Sequence, residues 1–295
     1  MSNNNFFIAI NKPLNWTSSD VVVKCRNLVS KALNEKVKAG HMGTLDPGAT
    51  GLLLVGINKA NRLFDYLLLK KKTYIGTLTF GKSTDTQDSY GEVISESELP
   101  SINAVREHLN DFIGEITQIP PKYSAIKING QKAYDMARKN KDFIIPERKV
   151  TIYNLKENNI SLNIDKVESI ELFVECSSGT YIRTLFTDIA KSLNVDGYMS
   201  KLNRIELASI KLEDSITIEK LSENPLSKKI EMIDVIKNIM PTYELSDLEY
   251  KLVAQGNKIK IDNKQDDFIA LTYKNELKFI GKNVLGEVKS NTNLE

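Results

Sequence analysis

Apolar positions come first as a nearly continuous run, Phe6 to Ile10, which predicts a short buried strand, and the polar stretch Asn11 to Asp20 breaks it. Val21, Val22, Val23, Leu28, Val29 and Leu33 then recur at helical spacing, with Ser18 or Ser19 as the expected cap. Leu52 to Val55 reads as a buried strand or the start of a packed helix. Leu63 to Leu69 has helical character and ends at Lys70-Lys71-Lys72. Thr73 to Gly81 is β-rich, with Tyr74, Gly76 and Leu78 on one face. From Ser101 to Phe112 a helix is expected, with Ile102, Val105, Leu109 and Phe112 on one side. Glu171 to Cys176 alternates like a strand, Ser177 to Thr180 turns the chain, and Tyr181 to Ala190 runs into a helix. If Tyr181 and Arg183 are extended, they share a face. Beyond Met240 the runs shorten to Ile259–Ile261, Phe268–Tyr273 and Leu277–Ile280. They predict a small, mostly β module after a linker at Lys237–Tyr243, with a frayed polar end from Lys289.

Composition narrows the function classes. A 295-residue chain that is 41% hydrophobic can hold one large domain and a small one. No apolar stretch is long enough to span a bilayer, and the N-terminus lacks a signal-peptide pattern, so the expected compartment is the cytoplasm. Cys25 and Cys176 are isolated, and His41 and His108 are the two histidines, which argues against a zinc site or a disulfide. Net charge is only +2, but eight basic residues face three acidic ones between Gln118 and Val150. Lys127, Lys132 and Arg138 are interleaved there with Tyr123 and Tyr134, a pairing of phosphate contacts with flat stacking surfaces that suits RNA.

The chemistry centres on His41-Met42-Gly43-Thr44-Leu45-Asp46-Pro47-Gly48-Ala49-Thr50-Gly51. Three glycines and a proline around one carboxylate describe a tight loop that carries Asp46, backed by the apolar run that follows. Asp-Pro-Gly alone is a turn. The wider string, His-x-Gly-Thr-Leu-Asp-Pro-x-Ala-Thr-Gly-x-Leu, resembles the catalytic motif of the TruB-type pseudouridine synthases, which make pseudouridine at position 55 of tRNA. Further segments carry the same resemblance in order: Lys12-Pro13 to Thr17-Ser18, Lys72-x-Tyr74, Thr84-Asp85-Thr86-x-Asp88-x-x-Gly91, Gln118-x-Pro-Pro-x-Tyr-Ser-Ala-x-Lys127-x-x-Gly130, and Ser177-x-Gly-Thr-Tyr181-Ile-Arg183-Thr-Leu185. Leu202-Asn203-Arg204 departs from the family string, with Asn203 where an arginine is usual.

The resemblance implies an α+β pseudouridine synthase fold with a central mixed sheet. It divides the chain into a catalytic domain over 1–238, with an insertion at about 118–150 that contacts the tRNA T-arm, and a PUA-like module over 239–295. It assigns Asp46 as nucleophile, Tyr74 to stack on the uracil and take the C5 proton, and Arg183 as the cation beside Asp46. His41 would hold the flipped nucleotide, Tyr181 would wall the pocket and Leu202 would close its apolar floor. Lys127, Lys132 and Arg138 would bind RNA. No metal, cofactor, membrane or obligatory protein partner is implied, and a monomer is the default. Two alternatives stay open: a non-catalytic tRNA-binding or folding protein, and an RNA-guided synthase acting on other RNAs.

Overall fold

The computed structural model describes residues 4–124, 126–128, 130–137, 139, 143–262 and 267–295. Its N-terminal part runs strand β1 (Phe6–Lys12), helix α1 (Ser18–Leu33), strands β2 (Ala39–His41) and β3 (Ala49–Ile57), and helix α2 (Phe64–Leu68). Strands β4 (Lys72–Phe80), β5 (Lys82–Thr84) and β6 (Val93–Glu96), helix α3 (Ile102–Leu109) and strand β7 (Gly114–Gln118) follow. The basic segment holds the short pair β8 (Lys127–Ile128) and β9 (Gln131–Lys132) and helix α4 (Ala133–Ala137). Next come β10 (Arg148–Asn163), β11 (Lys166–Cys176), α5 (Ile182–Ser192), β12 (Gly197–Leu207) and β13 (Ile210–Lys211). The rest is α6 (Ile218–Glu223), β14 (Ile230–Glu231), α7 (Met232–Ile236), β15 (Thr242–Glu244), α8 (Asp247–Ala254), β16 (Ile259–Lys260), β17 (Phe268–Tyr273), β18 (Glu276–Val284) and β19 (Glu287–Asn293). The class is α+β, with a large sheet in the body of the chain and a small C-terminal one.

The chain divides into two compact units. One comprises residues 1–46, 51–70 and 206–295, the other 47–50 and 71–205. In the first, β1 pairs antiparallel with β3 and β14, and β2 pairs antiparallel with the other edge of β3, opposite Val55–Ile57. Phe6, Ile8 and Ile10 of β1, with Leu53, Val55 and Ile57 of β3, pack against Val21, Cys25 and Val29 of α1. Phe7, Ala9, Leu52 and Leu54 point the other way, into a second core shared with Ala270, Leu277, Ile280 and Leu294. Both strand faces are thus buried, which is why their sequences do not alternate.

The C-terminal sheet, in order β15-β17-β18-β19-β16, therefore covers the first strands. The expected frayed end is corrected here: β19 runs to Asn293, and Leu294 is buried. Apolar burial of one leucine and pairing of β19 with β18 offset the entropy of ordering a polar terminus.

The second unit is built on the run β12-β4-β11-β10-β7. β11 pairs antiparallel with both β4 and β10, and β10 with β7. Helix α5 packs on β4 through Phe186, whose ring sits where a Cβ on Gly76 would be only 2.9 Å away. Gly76 is there for that close approach. Among the described residues, no helix is long and apolar enough to cross a membrane.

Candidate active site

Helix α1 positions the Asp46 loop. Its cap is Thr17, which forms a capping box with Asp20; the expected cap at Ser18 or Ser19 is one or two residues late. Ser18, freed from that duty, is buried and grips Leu45 instead. Its hydroxyl donates to the Leu45 carbonyl at 2.9 Å and accepts from the Leu45 N–H at 2.8 Å. The residue before Asp46 thus has both backbone groups fixed. Fully buried Lys12 braces the preceding turn, donating to the Pro13 and Trp16 carbonyls at 3.0 and 2.6 Å. On the other flank, the Met42 N–H donates to the Leu54 carbonyl at 2.8 Å, and His41, half-buried, ends β2 opposite Val55. Gly43 takes a φ of 91°, a conformation a side chain would strain. Asp46 itself is half-buried on irregular backbone.

The second unit takes the chain up at Pro47. A Cβ on Gly48 would lie 2.5 Å from the Tyr90 ring, so only glycine lets that aromatic close over the turn. The Thr50 hydroxyl reaches the Leu202 carbonyl at 3.4 Å. Leu202 is half-buried on β12, its methyl 3.2 Å from a Cβ position at Gly76, on the face of β4 that also carries buried Tyr74. The expectation that Tyr74, Gly76 and Leu78 share a buried face holds.

Tyr181 and Arg183 do not share an extended face. Helix α5 starts at Ile182, so Tyr181 is its extended cap and Arg183 lies in its first turn. Gln118, nearly fully buried, holds Tyr181 by both backbone groups: its Oε1 accepts from the Tyr181 N–H at 3.1 Å and its Nε2 donates to the carbonyl at 3.3 Å. Arg183 is 6% exposed. Its guanidinium donates to the Thr86 and Tyr123 carbonyls at 3.0 Å each and faces the Asp88 carboxylate at 3.4 Å. The other Asp88 oxygen accepts from the Thr86 hydroxyl at 2.6 Å and the Tyr90 N–H at 3.0 Å. A Cβ on Gly91 would collide with Asp85 and Thr86, which explains the glycine that closes this loop. The acidic loop therefore serves as counter-charge for a buried arginine.

Two more cations lie inside this unit. Arg204 has no exposed surface, and Lys72 has little. Burial, helped by the Arg204 charge, pulls the Lys72 ammonium down to about 8. Both cysteine thiols are pushed up by burial, Cys25 to about 12 and Cys176 to about 11, so neither is a nucleophile at neutral pH. Of the basic segment, Arg138 and the side chains of Lys127 and Lys132 lie outside the described residues. Ser18, Asp88, Gln118, Lys72 and Arg204 were not singled out from sequence as site residues. A buried serine or glutamine has no local signature, because its partner is distant in the chain.

Comparison with known proteins supplies the family. Residues 30–182 match the model of the N-terminal domain of TruB family pseudouridylate synthases. The tRNA pseudouridine synthase B of Aquifex aeolicus (strain VF5) is 39% identical over 286 residues, covering 96% of this chain and 95% of that protein. The protein of the same name from Rickettsia akari (strain Hartford) is 36% identical over 283 residues, covering 94% of each. A chain from a solved H/ACA RNP bound to a substrate RNA containing 2'-deoxyuridine shares the fold, with a TM-score of 0.74 over 99% of this chain and 86% of that one at 21% identity. With more than half of its length matched by the family model, and a relative 39% identical over 96% of it, this chain belongs to the TruB family of pseudouridylate synthases.

Proposed function

We propose that the chain isomerises uridine 55 in the T-loop of tRNA to pseudouridine. The observation that carries this reading is the unbroken motif from His41 to Gly51 in a chain that aligns almost end to end with a relative of that activity by name. The reaction breaks the N1–C1′ bond, turns the uracil and joins C5 to C1′, with the C5 proton lost and N1 reprotonated. It changes no composition and calls for no redox partner.

Asp46 acts as the nucleophile, on a loop whose fixed backbone limits its motion. Tyr74 stacks on the uracil and takes the C5 proton. Arg183 is the cationic partner of Asp46; its fixed guanidinium need not reorganise during the reaction. Tyr181 walls the nucleotide pocket and Leu202 floors it. His41 holds the uridine flipped out of the T-loop, an extrusion that costs a few kcal/mol and draws on RNA contacts elsewhere. Lys127, Lys132 and Arg138 supply phosphate contacts from the insertion, and the module over 239–295 is PUA-like. The protein works as a cytoplasmic monomer without a guide RNA.

Tritium release from a T-arm stem-loop labelled at uridine C5 tests the reaction. Wild type should release tritium from position 55 alone, while Asp46→Asn should be slower by at least about a thousandfold with affinity within twofold. Substantial release by Asp46→Asn would remove Asp46 from its role. Tight binding with no release by wild type would favour an RNA-binding protein. Neutralising Lys127, Lys132 and Arg138 together should flatten the salt dependence of binding by roughly two units of log–log slope. An unchanged slope would take the insertion off the phosphates.

A further inference from the structure

Arg148 opens β10 opposite Gln118, in register on β7. The two side chains serve the same residue from different directions. Gln118 grips the Tyr181 backbone, and the Arg148 guanidinium lies over the Tyr181 ring at 5.7 Å from its centroid. Nη1 of Arg148 also lies against the turn at Gly179, 3.4 Å from where a Cβ would be. This cation–π contact favours the guanidinium's position over the ring. Yet its Nε is buried with no hydrogen-bond partner among the described residues. The neighbouring Lys149 is different: it pairs with Glu115 at 2.8 Å.

A buried, charged donor without an acceptor is destabilising unless a ligand completes it. An arginine presents Nε–H and an Nη–H as a parallel fork, the geometry that two oxygens of one phosphate match. We propose that Arg148, set over the Tyr181 ring, binds the RNA phosphodiester next to the isomerised uridine. It is a positioning residue: it fixes the backbone of the flipped nucleotide while Tyr181 bounds its base. This rests on the reading that Tyr181 walls the nucleotide pocket.

The test uses the full chain and T-arm stem-loops carrying a single methylphosphonate on either side of the target uridine, with affinity measured against salt. Wild type should lose about tenfold in affinity at one of the two linkages. Arg148→Gln should bind unmodified RNA about tenfold more weakly, be indifferent to that methylphosphonate, and show a salt slope lower by about one phosphate contact. Arg148→Lys should keep the salt slope but lose most of the affinity, because an ammonium has no fork. If Arg148→Gln does not fold, the wild-type scan and Arg148→Lys decide. Equal methylphosphonate sensitivity in wild type and variant, or none in wild type, overturns the proposal. Tritium release by wild type from the unmodified stem-loop is read separately. Release without phosphate coupling sinks the Arg148 subsite alone, and coupling without release sinks the proposed reaction alone.

Discussion

The backbone beside Asp46 and the Arg183 guanidinium are both held by several hydrogen bonds, but by different physics. On the residues that flank Asp46 the anchors are neutral: the Ser18 hydroxyl on both backbone groups of Leu45, a left-handed glycine at 43, and a β-ladder on the flank, with buried Lys12 acting further off on the turn before α1. Around Arg183 they are charged or strongly polar: two carbonyls, the Asp88 carboxylate, and a unit that also buries Lys72 and Arg204. A neutral anchor is insensitive to pH and salt, and loses a modest amount when one partner goes. A buried charged anchor is rigid but depends on every partner being present, because an uncompensated charge in the interior is expensive.

Three measurements sharpen that contrast. The largest effect is expected from Arg183→Lys, which keeps the charge but cannot reach the Thr86 carbonyl, the Tyr123 carbonyl and Asp88 together. Turnover should fall roughly a hundredfold or more, with a lowered unfolding midpoint. Near-normal turnover would mean that charge alone matters and the three-way fixation does not.

Next in size, pH should act on the charged unit through Lys72. In the unfolded chain this lysine keeps its proton to about 10.5, whereas in the fold it loses it near 8. Between those values the unfolded state binds more protons, so this group makes stability rise with pH; below 8 both states are charged and the burial penalty is present in full. The stability of wild type relative to Lys72→Met should therefore move in favour of wild type by up to about 3 kcal/mol between pH 8 and 10.5, and stay flat below pH 7. A flat difference throughout would mean that Lys72 is solvated.

The smallest effect belongs to the neutral side. Ser18→Ala leaves a buried N–H and carbonyl of Leu45 without the hydroxyl, and should cost about 1–3 kcal/mol in denaturant unfolding, equally at pH 6 and pH 9. A pH-dependent loss would break the contrast between the two anchors.

How far the sequence could be read follows the same division. Patterns carried by neighbouring residues were legible: the buried strand at Phe6, the face shared by Tyr74 and Gly76, the loop around Asp46 and the small β module at the C-terminus. The cap at Thr17 precedes the expected Ser18 or Ser19 by one or two residues because all three are competent caps, and only the contact with Leu45 tells what Ser18 does instead. The polar C-terminus read as frayed because its pairing partner and its one buried leucine reveal themselves only in three dimensions.

The sequence by itself determined the strongly patterned elements, the identity of the loop that carries the carboxylate and, through motif spacing, the family. Those depend on local backbone preference and on residue type. Tertiary structure alone decided which polar groups are satisfied: Gln118 on Tyr181, Asp88 on Arg183, Ser18 on Leu45, and the Nε of Arg148 left over among the described residues. Hydrogen bonds between residues tens of positions apart are set by how strands and helices pack, so nothing in the adjacent sequence encodes them.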